Sequence, residues 1–234
     1  MDTSPSTTRC SSARPPRSTT TPTASRATNK VFLAELMDRH RIPQPKTILI
    51  HRGNVSHVAQ ELGFPCVLKQ PDSQFSRGVI KVETEAELRR MTRELLERSD
   101  IIIGQSFEPT EYDWRVGVLD GEPLYACRYY MAEGHWQVVK REGAKKHEGN
   151  HETLDIKDVP RNVLSIAVQA ARAVGRGLYG VDLKQFGNVV KVVEVNDNPN
   201  IDYGVEDLFL KEALYRKVME FFLRRLEART KDTR

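Results

Sequence analysis

The sequence has few cysteines and no long apolar run, and both absences exclude classes of protein. Its three cysteines lie far apart in a chain of 234 residues, so neither a disulfide framework nor a zinc site with closely spaced ligands is indicated. No segment approaches the roughly 20 unbroken apolar residues of a membrane helix, and the first residues do not read as a secretory signal. We therefore expect a soluble, cytoplasmic protein without a membrane partner.

A strongly basic body and two common catalytic signatures are also missing. The formal net charge is +4, but the first 28 residues hold four arginines and one aspartate, a net +3, which leaves only +1 for the rest. We therefore expect no nucleic-acid partner. The chain has no GxxxxGK[ST] phosphate loop and no serine or cysteine nucleophile motif, so any phosphate chemistry must use another arrangement.

The composition changes abruptly near residue 29. Residues 1–28 are dominated by Ser, Thr, Pro and Arg, a composition that buries too little apolar surface to fold, and we expect them to be disordered. Residues 29–104 alternate helices and strands, with a helix after Asn29 and a capping box at Thr84 and Glu87. This region is predicted to form the first lobe of an α+β fold.

The second half, residues 105–234, is predicted to form the other α+β lobe, with the border near Gly104 to Glu108. Its pattern indicates two hairpins, with turns at Asp120-Gly121 and Gly187-Asn188, and two helices, over 161–175 and 207–229. A polar stretch over 143–158 interrupts this pattern.

A group of carboxylates marks the second hairpin, "YGVDLKQFGNVVKVVEVND". Counting outward from Asn188 places Asp182 opposite Glu194, or within one register step, and puts Asn196 on the face of Glu194. Facing like charges destabilise a sheet unless a positive charge lies between them. Two carboxylates and an amide suit Mg²⁺ or Mn²⁺. The alternative is a solvated strand end whose acids pair with lysines of the hairpin.

Two segments of the first half could serve a polyphosphate and a nucleoside. Lys69 ends an apolar strand before a Ser76-Arg77-Gly78 turn that can offer backbone N–H groups to phosphate oxygens; the alternative is a surface lysine. The segment "GQSFEPTEYDWRV" reads as a connector whose backbone could face a purine edge, with Asp113 or Glu111 accepting from ribose hydroxyls. A plain crossover is the alternative there.

In their order along the chain, "NKVFLAELM", "FPCVLKQPDSQFSRGV", "IIIGQSFEPTEYDWRVGVLDGEPLYACRYY", "GLYGVDL" and "VEVNDNPNI" resemble the ATP-grasp superfamily. Within it, the chain looks most like RimK-type α-L-glutamate ligases, over about Asn29 to Glu227. The resemblance implies an ATP-grasp fold with the nucleotide between two lobes, and ATP and Mg²⁺ (or Mn²⁺) as cofactors. It also implies a carbon–nitrogen ligase that forms an acylphosphate, with an amino acid, peptide or protein as acceptor.

The resemblance also implies a role for each matched residue. Lys69 would contact the ATP phosphates, with Lys30 as a second phosphate ligand. The Gln105-Ser106-Phe107 backbone would recognise adenine, and Asp113 would bind the ribose. Arg115 and Arg128 are expected near the reacting phosphate or the acceptor carboxylate, as the catalytic residues. The metal ligands would be Asp182, Glu194 and Asn196, and the closing loop would be Ser76, Arg77 and Gly78.

Two departures from the family pattern favour an alternative function. Gln137, Val138 and Val139 stand where RimK-type enzymes carry an Arg-Ser-Asn run, and the low-complexity tail stands where the family has an N-terminal α/β domain. We expect this domain to be missing. The alternative is a nucleotide- or peptide-binding module without turnover, and a homo-oligomer is an open expectation in either case.

Overall fold

The computed structural model describes residues 29–71, 78–142 and 145–232, so the prediction of disorder for residues 1–28 falls outside the described residues. Among the described residues, no helix has both the length and the apolar content that crossing a bilayer demands.

A four-stranded antiparallel sheet with two helices forms the first half of the fold. The strand order is β1-β4-β2-β3, and one core, which includes Ile50, Leu68 and Leu88, lies between the sheet and its helices. The elements are β1 (Thr47–Ile50), α2 (Val58–Leu62), β2 (Cys66–Lys69), β3 (Val79–Val82), α3 (Glu85–Leu96) and β4 (Ile102–Ser106).

The predicted capping signals form at the expected residues. The Thr84 hydroxyl accepts the Glu87 N–H at 3.2 Å, and the Glu87 carboxylate accepts the Glu83 N–H at 2.9 Å. The Asn29 side chain accepts two N–H groups at the start of helix α1 (Lys30–Arg39). Such bonds satisfy donors that a helix start leaves without partners.

A five-stranded antiparallel sheet, in the order β11-β10-β5-β6-β9, forms the second half. Helix α4 (Arg161–Val174) packs on one face, over a core that includes Trp114, Val181 and Leu183. The strands are β5 (Tyr112–Leu119), β6 (Glu122–Tyr130), β9 (His151–Leu154), β10 (Leu178–Phe186) and β11 (Val189–Asn196).

Helix α1 precedes the first sheet in the chain but packs with the second. Leu33, Leu36 and Met37 belong to the same core as Trp114 and Val181. The predicted division into 29–104 and 105–234 places this helix in the first lobe. Its buried side chains instead pack in the core of the second sheet. The lobe boundary itself stays a prediction.

Strands that the sequence pattern missed lie in the polar stretch 143–158 and directly before it. Strands β7 (Val139–Glu142) and β8 (Lys145–Glu148) form a hairpin, and β9 extends the five-stranded sheet before a 3₁₀ turn at Ile156–Asp158. The sequence pattern gave no sign of these strands because they carry few apolar residues. Their pairing comes from backbone hydrogen bonds rather than from an apolar face.

The last helix, α5 (Glu212–Asp232), begins five residues later than predicted. Asp207, the predicted start, is buried and accepts hydrogen bonds from the Gly204 N–H at 2.6 Å and the Tyr215 hydroxyl at 3.0 Å. Asp207 therefore ties the preceding turns to the helix. Leu214 and Phe221 bury the inner face of α5.

Candidate functional site

A cavity of about 340 Å³ lies between the two sheets. Its lining is rich in charge, with residues from both sheets, from α1 and from the turns before α5. The cationic lining residues are Lys30, Lys69, Arg115 and Lys184, and the acidic ones are Glu108, Asp113, Glu148, Asp182, Glu194, Asp202 and Glu206.

The β10–β11 hairpin brings the two predicted metal carboxylates face to face. Near the turn, Phe186 pairs with Val189, and continuing this register would place Val193 opposite Asp182. A bulge after Asp182 shifts the register by one residue, so that Asp182 faces Glu194 directly. The predicted facing of these two carboxylates is therefore confirmed.

Both carboxylates have cationic partners from the protein. Arg115 donates from Nε and Nη2 to the two Asp182 oxygens, at 2.7 and 2.9 Å, and this carboxylate raises the pKa of Arg115 against the opposing effect of burial. Lys30 Nζ lies 2.8 Å from Glu194 Oε1. Asn196 Nδ2 donates to Asp182 Oδ2 at 3.2 Å. The like charges that the sequence brought together are thus balanced by Arg115 and Lys30.

Lys69 ends β2 as predicted, and it is buried rather than on the surface. Its side chain is 9% exposed and donates from Nζ to Gln105 Oε1 at 2.7 Å; Gln105 Nε2 in turn donates to Thr47 Oγ1 at 3.0 Å. Burial lowers the pKa of Lys69 to about 8, although the nearby Glu194 charge acts in the opposite direction. Burial of Lys69 at the cavity therefore disfavours its protonated, charged form.

Asp113, rather than Glu111, lies at the cavity. It accepts from Lys184 Nζ at 2.7 Å and from Thr110 Oγ1 at 2.9 Å, whereas Glu111 is exposed. Burial raises the pKa of Asp113 despite the Lys184 charge beside it. Asp113 therefore lines the cavity with a lysine partner that was not predicted for it, and its contact with ribose stays a prediction.

The three residues of the predicted adenine-reading connector all line the cavity: Gln105, Ser106 and Phe107. Gln105 and Ser106 end strand β4, where Gln105 pairs with Thr47 and Val67, and the Ser106 N–H donates to the Lys46 carbonyl at 2.9 Å. The Phe107 ring meets Trp136 edge to face, with centroids 5.8 Å apart. These two rings form an aromatic wall at this end of the cavity.

Arg128, predicted beside the reacting phosphate, lies on the other face of the sheet. Its guanidinium stacks over the rings of Tyr112 and Trp114 at 5.0 and 4.7 Å and bonds Glu152 at 3.2 Å. A bulge between Gly117 and Val118 causes this placement, since an unbroken register from the turn would pair Arg128 with Asp113. A one-residue shift moves a side chain to the opposite face. This prediction therefore requires correction.

The predicted closing loop is described only in part. Ser76 and Arg77 lie outside the described residues. Gly78 has a φ of 75°, which favours glycine, and its carbonyl accepts from the Gln70 N–H at 3.1 Å. Gly78 is not among the residues that line the cavity.

Several cavity residues were missed by the sequence reasoning. Lys184 follows Asp182 by two positions and so shares its face, a signal that could have paired it with Asp113. Tyr129 donates from its hydroxyl to the buried Glu206, 77 positions away, and its ring lies 5.4 Å from the Arg115 guanidinium. Only the tertiary structure brings that pair together.

The donor chemistry at Asp182, Glu194 and Asn196 fits a hard divalent cation. Two carboxylates and one amide oxygen are the ligand types that Mg²⁺ and Mn²⁺ use. In the part of the chain that the structure describes, no cluster of three or more His, Cys, Asp and Glu side chains forms a metal site. The predicted set would instead hold a cation through two carboxylates and the Asn196 amide.

The predicted site residues that line the cavity are Lys30, Lys69, Gln105, Ser106, Phe107, Asp113, Arg115, Asp182 and Glu194. The "Probable alpha-L-glutamate ligase" of Aeromonas salmonicida is 28% identical over 204 residues, which cover 84% of this chain and 64% of that protein. The "Tetrahydromethanopterin:alpha-L-glutamate ligase" of Methanocaldococcus jannaschii is 24% identical over 205 residues, covering 84% and 67%. The chain thus spans about two thirds of these relatives.

Solved structures establish the α+β ATP-grasp fold. The D-alanine–D-alanine ligase of Bacillus anthracis has a TM-score of 0.68 at 18% identity, with 87% of this chain and 69% of that chain covered. The ATP-grasp ligase PsnB, complexed with a minimal precursor, has a TM-score of 0.58 at 24% identity, with coverages of 77% and 54%. The model of the family described as "RimK-like ATP-grasp domain" matches residues 27–210 of the chain, and the chain therefore belongs to this family.

Proposed function

We propose that this chain is an ATP-dependent ligase that joins a carboxylate to an amine through an acylphosphate, using ATP with Mg²⁺ or Mn²⁺. One observation supports this most strongly: the facing Asp182 and Glu194 share one cavity with the buried Lys69. A buried lysine and paired carboxylates at the same cavity suit a metal-bound polyphosphate better than an apolar ligand.

The cations of the cavity would carry the phosphate chemistry. Phosphoryl transfer depends on in-line positioning and charge neutralisation more than on a protein nucleophile. Lys69 and Lys30 would contact phosphate oxygens, and Arg115, with its planar guanidinium, would hold an oxygen near the reacting phosphate or the acceptor carboxylate. This division of roles is the one implied by the family resemblance.

The metal ligands would be Asp182, Glu194 and Asn196. Asp182 Oδ2 accepts from Arg115 and Asn196, whereas Oδ1 accepts from Arg115 alone and keeps a further lone pair for a cation. A bound divalent cation would neutralise charge on the phosphate oxygens. Glu194 would then interact with both the cation and Lys30, so its ion pair with Lys30 would weaken. The Lys30 ammonium group could then also bind a phosphate oxygen.

The nucleoside would lie at the aromatic end of the cavity. The Gln105-Ser106-Phe107 backbone would face adenine, and Asp113 would accept from the ribose hydroxyls in exchange for its bond to Thr110. The named activity of the relatives from Aeromonas salmonicida and Methanocaldococcus jannaschii supports glutamate as one of the two substrates. The other substrate would then be an amino acid, a peptide or a protein. A cytoplasmic location and the absence of a nucleic-acid partner remain predictions.

Turnover by the purified chain tests this proposal. We expect ADP release from Mg²⁺-ATP in the presence of glutamate and a mixture of amino acids and peptides. Asp182→Asn should abolish this release because it removes a carboxylate charge from the metal ligands, whereas Asp120→Asn, at the β5–β6 turn outside the cavity, should leave it unchanged. Equal turnover in wild type and Asp182→Asn would remove the metal assignment.

A binding module without turnover is the second candidate function. It is favoured by Gln137, Val138 and Val139, which line the cavity where RimK-type enzymes carry polar ligands. A thermal shift separates the two functions, because ATP at 100 times its dissociation constant stabilises a protein by about 2.7 kcal/mol. A shift without ADP release favours the module, and a shift with release favours the ligase.

A further inference from the structure

Helix α5 carries two apolar faces, and within residues 29–71, 78–142 and 145–232 only one of them is covered. Leu214 and Phe221 are buried against the five-stranded sheet side of the molecule, at 0% and 3% exposure. A second stripe points outward and contains Tyr215 at 41%, Met219 at 67%, Phe222 at 41% and Leu226 at 61% exposure. An amphipathic surface helix normally exposes a polar face to water. The outer stripe therefore calls for a partner.

The spacing of this outer stripe is that of a helix–helix seam. Its four residues follow one another at intervals of four, three and four positions, the alternation of the two apolar positions of a heptad. Leu223, which is 56% exposed, lies beside the stripe and widens it. Such spacing keeps the apolar side chains in line along the surface of one neighbouring helix.

The exposed area is large enough for a stable interface. The turns before the helix add Leu208 and Phe209 to the patch, because the Tyr215 hydroxyl bonds Asp207 at 3.0 Å and holds these turns beside the stripe. Seven large apolar side chains, each about half exposed, present on the order of 700 Å². A standard interface buries about 800 Å² on each partner, and an ordinary monomer rarely exposes a patch of this size.

We propose that this outer stripe binds the same stripe of a second copy of the chain, with the two helices antiparallel. A twofold axis between positions 220 and 221 would set Met219 against Phe222 of the other copy, and Tyr215 against Leu226. Each layer then pairs one aromatic ring with one flexible or aliphatic side chain, including a sulfur–aromatic contact. The antiparallel arrangement also sets the helix dipoles head to tail, and twofold dimers are the commonest oligomers.

Charge and composition support this occupant. Arg225, beside the stripe, is turned back onto its own chain, where it donates to the Arg176 carbonyl at 2.8 Å and stacks over Phe221 at 5.5 Å. Its charge is therefore held away from the seam. The first 28 residues contain a single large apolar side chain, Met1, and so cannot cover seven exposed ones. The inference is independent of the proposed ligase activity.

Sedimentation velocity over a wide range of protein concentration tests the dimer. We expect wild type to sediment as a dimer that dissociates on dilution, and Met219→Glu to raise the dimer dissociation constant at least about tenfold by placing a charge in the seam. Val189→Glu is the matched control, because Val189 is 52% exposed on the β10–β11 hairpin and far from α5 in sequence. Circular dichroism should show the same helix content in all three proteins.

Cysteine cross-linking tests the orientation of the helices. In a Cys10→Ser background, where the remaining Cys66 and Cys127 are buried, a mixture of Met219→Cys and Phe222→Cys chains should form a disulfide-linked dimer faster than either chain alone. Faster linking of Met219→Cys chains to each other would overturn the antiparallel arrangement. A wild-type chain that stays monomeric at every concentration, or equal dissociation of Met219→Glu and Val189→Glu, would overturn the interface.

Discussion

The two hairpins of the five-stranded sheet contain the same irregularity with opposite results. In β10–β11, a one-residue register shift turns Glu194 to face Asp182 across the hairpin, on the cavity side of the sheet. In β5–β6, a one-residue shift turns Arg128 away from the cavity and onto the core side. Since side chains alternate strictly along a strand, a single extra residue decides which face receives a charge.

Charged side chains on the two faces of this sheet consequently have different surroundings. On the cavity face, Arg115, Asp182, Lys30 and Glu194 form ion pairs that leave lone pairs and ammonium groups beside open space. On the other face, Arg128 is packed between aromatic rings. The first arrangement can exchange partners with a ligand, whereas the second mainly stabilises the fold.

Replacing Arg115 should give the largest effect. Arg115→Met leaves Asp182 partly buried opposite Glu194 without its guanidinium, and removing one member of such a pair costs about 3 kcal/mol of unfolding free energy. We also expect nucleotide turnover to be lost. Urea denaturation and ADP release measure both effects. Arg176→Met, which breaks an exposed pair with Asp120, is the control and should be nearly neutral. An unchanged denaturation midpoint for Arg115→Met would contradict the account.

Glu194→Gln, on the cavity face of the sheet, should weaken metal binding, whereas a matched change on the opposite face should not. The change keeps the side-chain shape but removes one charge, so the dissociation constant for Mn²⁺ in the presence of ATP should rise at least about tenfold. Electron paramagnetic resonance of Mn²⁺ gives this constant. Glu152→Gln is the matched control on the opposite face, where Glu152 pairs with Arg128. Equal Mn²⁺ affinity in the two variants would argue against a metal at Glu194.

Arg128→Met should show the reverse pattern. It removes the stacking on Tyr112 and Trp114, and we expect the unfolding free energy to fall by about 1 to 2 kcal/mol. Affinity for Mg²⁺-ATP should stay within twofold of wild type, because the side chain lies on the face away from the cavity. Isothermal titration calorimetry beside thermal denaturation measures both quantities. A large loss of ATP affinity with unchanged stability would indicate instead that Arg128 contacts the nucleotide.

The smallest expected effect is a pH dependence from Lys69. Its pKa of about 8 means that the ammonium group loses its proton as pH rises from 7 to 9, and ATP affinity should fall several-fold over that interval. Lys69→Met should bind ATP weakly with no such slope. The unfolding free energy should move in the opposite direction: between pH 8 and the unfolded value of 10.5 the unfolded chain binds more protons, so this lysine's contribution to stability rises with pH.

Much of the fold could be predicted because its signals are local. The capping box at Thr84, the glycine turns of the hairpins and the apolar run before Lys69 each depend on residues that are neighbours in sequence. The strands β7 and β8 were missed because they are polar and pair only with each other. The start of α5 was misplaced because Asp207 is buried among turns, a contact that no local pattern indicates.

The sequence by itself determined that Asp182, Glu194 and Asn196 lie together at the open end of one hairpin and that Lys69 ends a buried strand; the bulge that turns Glu194 to face Asp182 came only with the tertiary structure. Only the tertiary structure decided what lies opposite them. Lys30 reaches Glu194 across 164 positions and Lys184 reaches Asp113 across 71, and a bulge took Arg128 to the other face. The physical reason is that turn chemistry and side-chain alternation act between near neighbours, whereas register shifts and the pairing of distant strands are settled by packing of the whole core.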